Sequence, residues 1–203
     1  SLHDALPILK TPLAEEAEKF IDADKGVMTA DEAIAGACDI LAERISDEAD
    51  YRSRIREMTM KKGRMVSAAK DEKAESVYEM YYAFDEPVAK LAGHRILALN
   101  RGENEKFLTV RVEAPEDEVL RYLERQVIVR DNPQTAGVLK EVVSDAYDRL
   151  IAPAIEREIR SELTERAEDG AVRVFGKNLE QLLMQPPIAG QVVLGWDPAF
   201  RTG

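Results

Sequence analysis

Residues 148–203, DRLIAPAIEREIRSELTERAEDGAVRVFGKNLEQLLMQPPIAGQVVLGWDPAFRTG, decide how this chain folds. From Ile155 onward, apolar or small residues fall at Ile155, Ile159, Leu163, Ala167, Ala171, Val174, Phe175, Asn178, Leu179, Leu182 and Leu183. Steps of four and three keep them on one face of a helix. Charge fills the other faces, and Glu162 stands four residues before Arg166, the spacing of a helical ion pair. About thirty helical residues make a rod of roughly 45 Å, longer than the average helix of a globular protein. Pro186 and Pro187 end it, since neither donates a backbone hydrogen bond. The apolar run 191–195 between Gly190 and Asp197-Pro198 then reads as a strand opening a new sheet. A lone apolar strand cannot bury both faces, so the chain is expected to be a piece of something larger.

Working backward, Asn132-Pro133 breaks the chain, and a helix from Gln134 carries Val138, Val142, Ala146 and Leu150 toward Pro153, where a kink or short break is expected. A helix from Pro115 to about Val127 opens with Glu116, Asp117 and Glu118, acids favoured by the helix dipole. Residues 107–112 (FLTVRV) alternate as a strand, placing Leu108, Val110 and Val112 on one side. His94-Arg95 opens an apolar helix ending near Gly102, with His94 as a packing or capping residue. Residues 72–84 read as a helix with Val77, Met80, Tyr81 and Phe84 inward, and Pro87 seeds a further short turn. Tyr78, Tyr81 and Tyr82 invite base stacking, but Glu79, Asp85 and Glu86 beside them repel phosphate and favour a core role.

Nearer the start, residues 65–69 read as extended, and Thr29 with Glu32 forms a capping box for a helix whose inner face is Ala33, Ala37, Leu41 and Ile45. A helix from Pro12 to about Ala23 precedes it, with Leu13, Ala17, Phe20 and Ile21 on its apolar side. Cys38 is the only cysteine and reads as a small buried hydrophobe, so disulfides and a cysteine metal cluster are excluded. The predicted fold class is mainly α: a multi-helical scaffold with one long central helix, a small extended element near 107–112 and a terminal strand at 191–195.

The net charge of −11 argues against a surface that grips nucleic acid all over. Charge is uneven, however. Residues 51–64 hold six bases, Arg52, Arg54, Arg56, Lys61, Lys62 and Arg64, against one acid, Glu57, so this segment is at +5 and the remainder at −16. That helix, with Tyr51, Ile55 and Met58 inward and Gly63 as its stop, is the candidate for touching a polyanion. Its alternative reading is a solvated face balanced by acidic neighbours. No apolar run reaches the eighteen residues of a membrane span, and no glycine-rich phosphate loop, nucleophile elbow or HExxH occurs.

Four stretches together resemble the bacterial Tex family of transcription accessory proteins: 26–46 (GVMTADEAIAGACDILAERIS), 92–102 (AGHRILALNRG), 145–163 (DAYDRLIAPAIEREIRSEL) and 175–203 (FGKNLEQLLMQPPIAGQVVLGWDPAFRTG). The resemblance implies a cytoplasmic, nucleic-acid-binding protein that works with RNA or DNA and with the transcription machinery, not a membrane. It implies a helical region followed by a YqgF-type RNase H-like domain, helix-hairpin-helix modules and an S1 domain that makes the main nucleic-acid contact. On this reading 1–12 is a leader, expected to be a cloning or assembly artefact. Residues 13–133 are the helical region, 134–189 the long-helix scaffold, and 190–203 the first strand of a truncated YqgF-type domain. The expected function is a noncatalytic scaffold with no catalytic residue, cofactor or metal. The alternative is part of a metal-dependent RNase H-like nuclease with Asp197 as first metal ligand, because such enzymes place a carboxylate at the end of their first strand. One carboxylate does not assemble a two-metal site, and Asp197-Pro198 also reads as a turn.

Overall fold

The computed structural model describes residues 11–129, 132–186 and 189–196. It is 66% helical, with a small three-stranded antiparallel sheet. In chain order the elements are α1 (Leu13–Ala17), α2 (Ala30–Asp47), α3 (Ala49–Lys62), β1 (Arg64–Ala69), β2 (Ala83–Pro87), α4 (Gly93–Asn104), β3 (Leu108–Glu113), α5 (Glu116–Val127), α6 (Ala136–Asp145) and α7 (Ala152–Leu183). A π-helical turn, Ala146–Ile151, joins α6 to α7 without a break, so one helix of 48 residues runs the length of the fold.

That join replaces the kink or break expected at Pro153. In a straight α-helix the proline ring presses on the carbonyl four residues back and leaves it without a donor. The wider π turn, placed just before Pro153 in the first turn of α7, carries the chain past this conflict. Ala146, Tyr147 and Ile151 of the turn are buried, so tertiary packing holds the wider geometry in place.

The sheet has the order β2-β1-β3, with Met65 opposite Val112 and Ser67 opposite Val110 in one pair and Val66 opposite Asp85 in the other. Alternation in β3 is as predicted, Leu108, Val110 and Val112 being buried. The helix expected over 72–84 does not form. A short 3₁₀ turn, Glu79–Tyr81, leads instead into β2. The side chain of Ser67 in β1 donates to the carbonyl of Tyr81 at 2.6 Å, and the amide of Ala69 donates to the carbonyl of Tyr82. Partners on β1 therefore claim the backbone that a helix would have used internally. As a result Val77 and Met80, expected inside, stand 84% and 76% exposed, while Tyr78 and Tyr81 are buried against Phe107 and Phe84. Burial removes those two rings from any stacking surface.

Gly63 ends α3, and its reason is space. Its φ is −68°, but a Cβ there would lie 2.4 Å from the carbonyl oxygen of Thr59 and 3.0 Å from that of Glu113. Gly102 does not end α4, which continues to Asn104. It lets the helix settle on the sheet, since a Cβ would meet Leu108 Cδ1 at 2.6 Å. The capping box of Thr29 and Glu32 forms as read, each side chain accepting from the other's backbone amide. By contrast α1 stops at Ala17 and passes into a 3₁₀ turn, leaving Phe20 and Ile21 exposed.

Two apolar clusters result. The main one joins Ile55, Leu99, Leu108, Val119 and Leu123 to Ile151, Ile155, Ile159, Leu163 and Ala167 of the long helix. A smaller one, Ala17, Ala33, Ala37 and Leu139, seats α1 and α2 on α6. Cys38 is half-buried at the edge of the main cluster. Residues 189–196 form no strand: Val192, Val193, Leu194 and Trp196 are exposed, with no neighbouring strand among the described residues to pair with.

Candidate functional site

The six bases singled out on α3 and at the start of β1 all meet carboxylates. Arg52 pairs with Glu158 at 2.7 Å and Arg56 with Glu162, both on α7. Their spacing of four on each helix makes a two-rung ladder between α3 and the rod. Lys62 reaches Glu118 on α5 at 2.6 Å, and Arg64 reaches Asp85 on β2. Arg54 and Lys61 share Glu57 on their own helix, at 2.7 and 2.6 Å. Hydrogen bonds from Lys61 and Arg54 draw the Glu57 carboxyl below its ordinary pKa, and one from Lys62 does the same for Glu118. The six side chains remain between 32% and 69% exposed, so water competes for each contact.

A second polar set pins the sheet to the rod. The outward amides of β3 would be left bare at a sheet edge. Here the amide of Val112 donates to Glu156 Oε1 of α7 at 2.9 Å, and that of Val110 donates to Glu103 Oε1 of α4 at 3.3 Å. Arg160 of α7 donates both to Glu103 and to the carbonyl of Val110. Burial alone would raise the Glu103 pKa, but the hydrogen bond and charge of Arg160, helped by the Val110 amide, bring it below the ordinary value. Asn100 donates to Thr164 Oγ1, which donates in turn to the carbonyl of Arg160, each at 2.8 Å. Sequence reading misses this seam because the contacts that join α7 to β3 and α4 lie 44 to 64 residues apart and no local spacing marks them.

Beyond Ala167 the rod leaves the body. Residues 168–183 are exposed on every side, including Val174, Phe175, Leu179, Leu182 and Leu183 of the predicted stripe. His94 stands exposed in the first turn of α4 and neither packs nor caps. Asp197 and His3 lie outside the described residues. Among the described residues no three His, Cys, Asp or Glu side chains gather as a metal group, and no helix is long and apolar enough to cross a membrane.

The fold and its polar contacts thus define a mainly helical module built on one half-embedded rod. The family described as Tex central region-like matches residues 10–175, and the chain belongs to that family. It is 50% identical over 194 residues to the protein YdcI of Bacillus subtilis, covering 94% of this chain and 27% of that protein. It is 34% identical over 202 residues to Protein tex of Bordetella pertussis, with 92% and 26% covered. Identity to the human S1 RNA-binding domain-containing protein 1 is 33% over 193 residues, with 88% and 19% covered. The chain therefore spans between about a fifth and a quarter of the length of these relatives.

Proposed function

We propose that the chain is a noncatalytic helical scaffold of a Tex-like, nucleic-acid-binding transcription accessory protein of the cytoplasm. It holds in register the parts that do the touching: the YqgF-type, helix-hairpin-helix and S1 domains implied by the resemblance. One observation carries this reading. A single helix is buried along 155–167 and bare along 168–183, so its first half is anchored and its second half is offered. The names of two relatives, a transcriptional accessory protein Tex of Neisseria gonorrhoeae and the human S1 RNA-binding domain protein, support nucleic acid as the partner of the whole.

The bases Arg52, Arg54, Arg56, Lys61, Lys62 and Arg64 serve first to fasten α3. Any phosphate contact through them exchanges one anion for another, which makes them a secondary contact. The test uses the longer protein that contains this chain. Arg173→Pro breaks the rod in its bare half without touching the core. Thermal unfolding of the helical core should stay put while nucleic-acid affinity falls at least tenfold. Unchanged affinity in a broken rod would remove the scaffold role.

A further inference from the structure

Where α7 leaves the body it touches α4 at three places, taken in antiparallel order. Arg160 meets Glu103, Thr164 accepts from Asn100, and Ala167 lies against Gly93. The first two contacts are made by side-chain tips, which follow a small helix movement by rotating. The third has no such slack, because a Cβ at Gly93 would stand 3.3 Å from Ala167 Cα and 3.4 Å from Ala167 Cβ. Gly93 does not have a left-handed φ, so closeness to α7, not a turn, accounts for the glycine. Ala167 is also the last buried residue of α7. This tight contact is therefore where the rod passes from buried to bare.

Beside the contact the seat is hollow. A cavity of about 170 Å³ adjoins Gly93 and Ala167 and is shared with Met60, Val88 and Leu91. Atoms that face a void have no partner there to hold them in place. The lie of the rod at its exit thus depends on how closely Ala167 approaches Gly93.

We infer that Gly93 is a positioning residue: its missing side chain sets the angle at which the bare half of α7 leaves the body. The tie of Arg160 to Glu103 is the pivot, and the Gly93 contact with Ala167 is the stop. The inference rests on the scaffold reading, since an exit angle matters only to a rod that holds other parts in place. Leverage follows from helix geometry. The seven residues from Arg160 to Ala167 span about 10 Å and the twenty from Arg160 to Glu180 about 30 Å, so a movement at the stop grows about threefold at Glu180. A methyl group at Gly93 needs about 0.5 Å more room to reach an ordinary carbon–carbon separation, which becomes about 1.5 Å at Glu180. Valine, whose two γ-carbons stay close to the backbone, needs about 1 Å, which becomes about 3 Å.

The test is made in the longer protein with its native cysteines replaced. Spin labels at Lys90→Cys and Glu180→Cys, both exposed positions, report the exit angle by electron–electron double resonance. Affinity for a labelled ten-nucleotide single-stranded RNA is measured in parallel. Gly93→Val should move the mean distance by at least about 2 Å and weaken the RNA at least threefold. Gly93→Ala should give about half that displacement, and it carries the test where Gly93→Val does not fold. Adding Ala167→Gly to Gly93→Ala moves the methyl group across the contact and should bring both distance and affinity back, a rescue that general destabilisation does not produce. An unchanged distance in Gly93→Val, or a displacement that Ala167→Gly leaves in place, would overturn the assignment. A displaced rod with unchanged RNA affinity would uphold Gly93 as the stop and remove the scaffold reading instead.

Discussion

The two halves of α7 share one helix and one apolar stripe but differ in every tertiary respect. Along 155–167 the stripe residues Ile155, Ile159, Leu163 and Ala167 are buried, and Glu156, Glu158, Arg160 and Glu162 between them hold the sheet, α4 and α3. Along 168–183 the stripe continues through Val174, Phe175, Leu179 and Leu182 and meets only solvent. The lesson is that periodicity selects a conformation and a face, whereas what covers that face depends on elements distant in sequence. The same helical pattern therefore yields a buried face in one half and an exposed apolar face in the other.

Core truncation gives the largest contrast between the halves. Ile159→Ala should cost about 2–5 kcal/mol, because the side chain is fully buried and leaves a cavity. Leu182→Ala, 62% exposed, should change stability by less than about 0.5 kcal/mol. Urea unfolding of both variants measures the difference, and similar costs would erase the distinction.

Arg160→Ala comes next. It strips Glu103 and the Val110 carbonyl of their shared donor at a partly buried place, and a loss of about 1–3 kcal/mol is expected. The variant also has a pH signature. The folded pKa of Glu103 lies below its free value of 4.5, so the stabilisation is complete above that pH and drains as the pH falls through the folded pKa. Wild type should therefore lose more stability than Arg160→Ala on acidification below about 4.5. Parallel curves for the two proteins would show that Arg160 does not set the Glu103 pKa.

The ladder of Arg52 and Arg56 to Glu158 and Glu162 should matter least. Its pairs are partly exposed, and replacing both arginines with alanine should cost no more than about 1–2 kcal/mol, shrinking as salt is added. In the longer protein, changing Arg52, Arg54, Lys61 and Lys62 together to alanine should lower the salt slope of nucleic-acid binding only slightly. A large drop would make these bases a principal phosphate contact.

Much of this was legible in the sequence. The long helix, the capping box at Thr29, the alternation of Leu108, Val110 and Val112, and the acidic start of α5 depend on local spacing, and each forms. The segment 72–84 reads as helix because Val77, Met80, Tyr81 and Phe84 satisfy a helical pattern, while hydrogen bonds to Ser67 and Ala69 on β1 decide its conformation. The π turn was foreseen only as a defect at Pro153, since a proline marks where a helix is stressed but not how its neighbours absorb the stress. On α3 the cluster of bases was visible, but its carboxylate partners were not, because Glu158 and Glu162 lie 106 residues away from Arg52 and Arg56. The seam of Glu103, Glu156 and Arg160 had no local signal at all.

Continuity of the rod is tested most directly by a distance. With Cys38 replaced by alanine, spin labels at Lys140→Cys and Glu180→Cys sit on exposed turns of α6 and the bare half of α7, 40 residues apart. Electron–electron double resonance should give one narrow distance near 60 Å, the length of an unbroken helix. A broad distribution, or a peak well short of that value, would mean that the chain is hinged between the labels and that no single rod joins the buried half to the bare one.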